Sequence, residues 1–284
     1  MMRIVDVNHG NIAAVDAFLT AHLETCMFLA SNLVIYGPAL GNSLNSGNFK
    51  ALADGNEIVG VLCLARRGNL LVETAGRVDL LDAVVDAALA EPIAILGVIG
   101  EWCTAEAVAR KLTQRTRFVL GHSMRETLLA LDLPTAPTNR LLNPSVRPLT
   151  VVDFDRFDQV YCDSCREIDL PIQGAREERR AVFEETVGRG FWWGFFEDDA
   201  LLGTVAINAV HRGVGQVGGV YVIPERRRQG IARAAMRRLI ADGVHRHGLK
   251  RLILFTGEDN TPALRLYDGL GFTRIGSFGL LFGV

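Results

Sequence analysis

Tyr221-Val-Ile-Pro-Glu-Arg-Arg-Arg-Gln-Gly-Ile-Ala232 is the stretch that decides how this chain is read. An apolar run ends at Pro224, an arginine-rich bend follows, and an amphipathic pattern opens at Gly230. That order predicts a strand, a tight basic loop and a helix. The first turn of a helix carries N–H groups with no partner inside the helix, together with the positive end of its dipole. Gly230 and the small Ala232 let a ligand come close to the backbone, and Arg227 and Arg228 add full positive charge. The natural guest is a phosphate or pyrophosphate.

Spacing separates the kinds of phosphate loop. No Gly-x-x-x-x-Gly-Lys-Ser/Thr run occurs in the chain. Gly213, Gly215 and Gly218 reproduce a dinucleotide fingerprint literally, but they precede a strand where the fingerprint must follow one. They read instead as a turn and a strand bulge. What remains is Arg/Gln-x-x-Gly-x-Gly/Ala after a strand ending Val-x-Pro, fitted by Arg227, Gly230 and Ala232. Downstream stands Asn260-x-x-Ala263-x-x-x-Tyr267-x-x-x-Gly271-Phe272, reached through one helix and one strand. In this order and spacing the two signatures resemble the GCN5-related N-acetyltransferases, GNAT for short. The resemblance is densest from about Gly219 to Phe272, and the whole chain resembles tandem members with a degenerate first domain.

The resemblance implies an α/β fold of the α+β type. It would consist of two tandem acyl-CoA N-acyltransferase-like domains, each a mostly antiparallel sheet flanked by helices. It also implies a splayed pair of strands, Gln216–Ile223 and Arg251–Thr256, with the pantetheine of acetyl-CoA against the backbone near Val222. The pyrophosphate would take amides from Arg227, Arg228, Gln229, Gly230, Ile231 and Ala232, and Asn260 would hold cofactor or substrate backbone. Tyr267 is the expected general acid, protonating the thiolate that leaves when an amine attacks the thioester. A phenol with a pKa of about 10 keeps its proton at neutral pH; the competing reading of Tyr267 is plain packing one turn after Ala263 and Leu264. The base departs from the family pattern. Many relatives carry a Glu on the strand before the phosphate loop, where this chain reads Gly218-Gly219-Val220. Deprotonation then falls to a water chain or to a residue such as Glu167, Asp169 or His211. Glu167 and Asp169 also suit a cationic acceptor, and Trp192, Trp193 and Phe195 would form an aromatic wall or pack in the core.

The expected activity is acyl transfer to the primary amine of a small molecule. The alternatives are a non-catalytic acetyl-CoA sensor and transfer onto a protein lysine. A net charge of −2 argues against a general polyanion binder, and the six arginines from Arg226 to Arg238 suit one small anion better than a nucleic acid. No apolar run of membrane-spanning length occurs in the sequence, and no secretory signal is expected. Five cysteines, an odd number without framework spacing, fit a reducing cytoplasm. Cys162 and Cys165 lack a second ligand pair for zinc and fall within an expected helix, and His245 and His247 point apart on another. No metal is expected. The expected assembly is a monomer or homodimer.

Four prolines (Pro134, Pro137, Pro144, Pro148) mark the best domain boundary, giving residues 1–143 and 144–284. Asp54-Gly-Asn56 and Glu197-Asp-Asp199 are hairpin turns. The strands after them, Glu57-Ile-Val-Gly60 and Ala200-Leu-Leu-Gly203, lie about half the chain apart, so a tandem duplication is expected. Elsewhere in the first half, Asn11 to Leu33 is expected to be helical. Pro92 to Ile99 reads as a buried strand, and Thr104 to Thr113 as a helix capped by Thr104. The first half lacks both signatures. Glu101 and Glu106 stand at its candidate helix start, where they would repel a phosphate, so it is expected to bind no coenzyme A.

Overall fold

A computed structural model of the chain describes residues 2–133, 142–168, 172 and 174–284. Asp169, Pro134 and Pro137 therefore lie outside the described residues. The chain begins with β1 (Met2–Asp6), α1 (Ile12–Ala21), α2 (Leu23–Tyr36), β2 (Gly47–Asp54), β3 (Glu57–Ala65) and β4 (Asn69–Glu73). It continues through α3 (Leu81–Leu89), β5 (Gly97–Glu101), α4 (Trp102–Arg115) and β6 (Leu120–Asp132). The same order then begins again: β7 (Val146–Pro148), α5 (Phe154–Glu167), α6 (Arg176–Gly188), β8 (Trp192–Glu197), β9 (Ala200–His211) and β10 (Val214–Val222). It closes with α7 (Ile231–His245), β11 (Arg251–Gly257), α8 (Thr261–Asp268) and β12 (Thr273–Gly283).

Two compact units result, and they differ from the 1–143 and 144–284 division. The first comprises Met1–Leu129, Phe255–Thr261 and Arg274–Val284; the second comprises Ala130–Leu254 and Pro262–Thr273. In the first unit β1, β2, β3, β4, β5 and β12 are neighbours in that order. β4 and β5 are parallel from Asn69↔Gly97 to Val72↔Gly100, and β12 runs antiparallel to β5. Apolar residues at helical spacing on α3 (Leu81, Val84, Val85, Ala88) and α4 (Ala105, Val108, Ala109, Leu112) pack on Leu62, Leu64, Leu70, Val72 and Val98. Leu281 of β12 is fully buried in that same core.

Three expectations for the first unit need correcting. The helical stretch after Asn11 breaks at His22, whose φ of −123° and ψ of 25° end one helix and begin the next. The strand expected from Pro92 starts only at Gly97. Thr104 is not the cap of α4: that role falls to Glu101, whose carboxylate accepts from the N–H of Cys103 (3.0 Å) and of Thr104 (2.9 Å). A carboxylate serves there as well as a hydroxyl because it also meets the dipole.

In the second unit β7, β8, β9 and β10 are successive antiparallel neighbours, and β11 joins β10 in parallel. Phe154, Phe157 and Phe183 fill the space between α5, α6 and the sheet, with ring centroids 4.5 Å apart for Phe157 and Phe183. Asp153, fully buried before α5, accepts from both terminal nitrogens of Arg147 (2.7 and 2.8 Å) and from the N–H and hydroxyl of Thr150. β10 is irregular, with register breaks at Gln216/Val217 and Gly218/Tyr221. Gly219 has φ +58° there, and a Cβ on it would lie 2.5 Å from the Trp192 ring. Gly213 (φ +81°) turns the chain before β10. Of the glycines that imitate a dinucleotide fingerprint, Gly213 is a turn and Gly218 borders the bulge, whereas Gly215 is an ordinary strand residue paired with Val210 and Leu252.

Candidate active site

The pairing of β10 with β11 is short. It runs from Val214↔Arg251 to Gln216↔Ile253 and stops, leaving Val217 to Val222 hydrogen-bonded to β9 alone. This is the splay that the resemblance implies, and it opens toward the loop that follows β10. Pro224 to Arg226 form a 3-10 turn after β10, and Arg228 sits in the left-handed region at φ +62°. Gly230 follows at φ +82° as the residue before α7, with no side chain capping the helix. A left-handed non-glycine residue is uncommon, and such residues gather where a loop is shaped for a ligand.

The loop's own hydrogen bonds end early. The N–H of Arg226 donates to the carbonyl of Ile223, and that of Arg227 to the carbonyl of Pro224. The next bond is Ala234 N–H to Gly230 O, so the amides from Arg228 to Ala232 have no protein acceptor among the described residues. A Cβ placed on Gly230 would meet nothing within 4 Å, so the space before these amides is open. Unpaired amides, a helix dipole and arginines around an open space fit an anionic group such as a diphosphate.

The arginines divide their work. Arg226 pairs with Glu197 of β8 at 2.5 Å and bonds Gln229, pinning the loop's outer side. Arg233, in the first turn of α7, donates to Gly269 O at 3.0 Å, which ties α7 to the chain just beyond Tyr267. Arg227 turns back on the strand: its Nε donates to Val222 O (3.0 Å) and its Nη2 meets Glu167 Oε2 (2.6 Å). Its guanidinium also lies 5.6 Å from the centre of the Tyr221 ring. Arg227, and next the Tyr221 hydroxyl, hold the Glu167 carboxyl below the usual carboxylate range. Burial first, then Glu167, pushes the Tyr221 phenol up.

The structure thus brings Glu167, Val222 and Arg227 into direct contact and lines the amides of Arg228, Gln229, Gly230, Ile231 and Ala232 along one loop. Tyr267 is 5% exposed on α8, with its ring 5.7 Å from that of Phe272, and burial pushes its phenol well above its ordinary value. Asn260 falls in the first unit, its N–H on Gly257 O and its side-chain amide 3.4 Å from Thr256 Oγ1. His211 pairs opposite Val214, at the end of β10 remote from the loop. Trp193 requires a correction. It is fully buried, and its indole N–H donates to Asp242 (2.7 Å), so it is a core residue and not a wall of an acceptor pocket. Cys162 and Cys165 are buried on α5.

Tyr221 is the participant that sequence reasoning passed over. Its place in the quoted stretch was visible, but a single residue at a strand end carries no signal for a partner 54 positions upstream.

The counterpart of this loop in the first unit also lies elsewhere than the sequence suggested. β4 and β5 form the parallel pair there, so the equivalent turn is Thr74 to Arg77, not Gly97 to Glu101. In that turn the buried Glu73 accepts from the N–H of Ala75 (2.7 Å) and from the Thr25 hydroxyl. Asp79 and Asp82 stand in the turns that open into α3, and Arg77 is paired with Asp79.

Comparison with known proteins agrees with this geometry. Residues 156–272 match the model of the Acetyltransferase (GNAT) family. A mycothiol acetyltransferase of Renibacterium salmoninarum is 29% identical over 185 residues, covering 60% of this chain and 53% of that protein, so the match spans about half of this curated relative. A GCN5-related N-acetyltransferase from Sphaerobacter thermophilus shares the fold with a TM-score of 0.63 at 15% identity, over 99% of this chain and 94% of that one. A tandem GNAT protein from the clavulanic acid biosynthesis pathway gives 0.54 at 15% identity, over 100% and 98%. Among the described residues no helix is long and apolar enough to cross a membrane.

Proposed function

Starting from residues 156–272 as a GNAT acetyltransferase domain, we propose that this chain transfers an acetyl group from acetyl-CoA to a primary amine of a small molecule, by direct attack in a ternary complex. The observation that carries the reading is the row of unpaired amides from Arg228 to Ala232 before the open space at Gly230. These amides and Arg227 would hold the diphosphate, and the backbone of Val222 would meet an amide of pantetheine. Bound there, acetyl-CoA supplies an acyl group already activated as a thioester.

The protein's own part is to position and to move protons. Tyr267 stays protonated through the neutral range because burial disfavours its phenolate, so its hydroxyl proton is available to a leaving sulfur. Glu167, 39% exposed, would offer its carboxylate to a cationic acceptor. Residues 1–143 would bind no coenzyme A, because Glu73 fills the equivalent turn with a carboxylate and Asp79 and Asp82 oppose an anion. The working compartment would be the cytoplasm, in keeping with five free cysteines.

Calorimetric titration with acetyl-CoA tests this. One site per chain, lost in the Arg227→Ala/Gly230→Asp double variant, is the expected result. Two sites would overturn the reading of the first half, and no binding would overturn the acetyltransferase reading altogether. Release of free thiol with a panel of amines, with Tyr267→Phe as control, then separates an enzyme from a protein that only binds acetyl-CoA.

A further inference from the structure

Arg227 makes both of its side-chain bonds to groups that the proposed function assigns to ligands. Its Nε takes the Val222 carbonyl, which pantetheine would need, and its Nη2 takes the Glu167 carboxylate, which a cationic acceptor would need. The guanidinium is also the charge that a diphosphate would need. One side chain therefore stands in for three interactions. Resting on the acetyl-CoA reading, we infer that Arg227 is an exchangeable latch: coenzyme A draws it off Glu167 and Val222, and so creates the subsite for the cationic acceptor.

The balance of contacts favours the exchange. Glu167 offers Arg227 one bond at 2.6 Å, in a pair whose side chains are 41% and 39% exposed. Exposed pairs of this kind are weak. A diphosphate would offer the same guanidinium a paired set of oxygens while also receiving the unpaired amides of the loop, an arrangement that Arg geometry favours. Glu167 stays 39% exposed when Arg227 leaves, so water can still solvate it. A solvated carboxylate stripped of its cation is a site for another cation. The acceptor accordingly binds well only after the cofactor, and a cationic acceptor is preferred over a neutral one.

The latch is testable with coenzyme A alone. Breaking it in advance removes a competitor, so Glu167→Gln should bind coenzyme A about two- to fivefold more tightly than the wild type, the span available to an exposed pair. An unchanged or weaker affinity in a folded Glu167→Gln protein overturns the latch and leaves the acetyltransferase reading intact. Absence of coenzyme A binding to the wild type overturns both. A second measurement is independent of that variant. In 15N spectra of the arginine side chains, the Arg227 Nε–H signal, assigned by its loss in Arg227→Lys, should shift when coenzyme A is added. A signal that stays in place while coenzyme A binds overturns the exchange.

Discussion

Tyr267 is where packing and chemistry make different demands. A phenol buried to 5% exposure in the last turn of α8, against the Phe272 ring, would be conserved in volume by phenylalanine, so Tyr267→Phe removes the hydroxyl and little else. If that hydroxyl delivers a proton, thiol release should fall by about a hundredfold or more while coenzyme A affinity stays within about twofold. An unchanged rate would return Tyr267 to the core. Trp193 provides the opposite case. Its indole N–H bonds Asp242, which Arg238 also reaches at 2.8 Å, so Trp193→Phe leaves a buried carboxylate short of one donor. The expected cost is about 1–3 kcal/mol in urea unfolding, with unchanged coenzyme A affinity. Loss of affinity without loss of stability would contradict the core assignment.

Asp153 adds a pH signature at the same scale. Arg147 first, then the N–H and hydroxyl of Thr150, lower its carboxyl from the ordinary 3.8 to about 2. A carboxyl whose pKa is depressed on folding stabilises the fold above its unfolded value, and that stabilisation disappears as the pH falls through the folded value. The shift corresponds to about 2 kcal/mol. The stability gap between wild type and Asp153→Asn should therefore be full near neutral pH and shrink from about pH 4 downward. A gap that persists to about pH 2 would mean that Asp153 acts through shape and not through its charge.

Elements were legible where local chemistry sets them. The β2–β3 and β8–β9 hairpins follow their turn residues, and the β10–loop–α7 unit follows from an apolar run, a basic bend and a glycine. What stayed hidden is decided between elements. Nothing in Gly97 to Glu101 says that β5 is the second strand of a parallel pair, and so the sequence points to a phosphate-loop counterpart one strand too late. The Glu167–Arg227 pair joins positions 60 residues apart, and Trp193 finds Asp242 across 49. The bulge was readable only as glycines out of place; its reason is the Trp192 ring lying over Gly219. Gly219→Ala should disturb that bulge on two counts, the positive φ and a Cβ 2.5 Å from the ring. A loss of stability of about 1–3 kcal/mol is expected, with altered Trp fluorescence. A neutral result would mean that β10 has freedom to flatten, and the splay would then need another cause.

At the scale of the whole molecule, the repeat in the sequence and the unit that packs are different things. The element order restarts at β7, which is what a duplicated gene would leave. Yet Arg274–Val284 belong to the first unit, where β12 covers the edge of β5 from Phe278↔Glu101 to Phe282↔Gly97. Leu281 is fully buried there among Leu70, Val98, Ala105 and Leu112. A protein cut after residue 143 would keep every element of the first repeat and still lack this strand. β5 would then present an open edge and the core a gap where a leucine belongs, a loss of about 2–5 kcal/mol before any edge effect. Small domains hold about 5–15 kcal/mol in reserve. Residues 1–143 alone are therefore expected to unfold without a sharp cooperative transition and to self-associate, whereas adding a peptide of residues 272–284 should restore cooperativity. Cooperative unfolding of 1–143 alone, unaffected by the peptide, would show that the repeat is also the folding unit and that β12 is only an added strand.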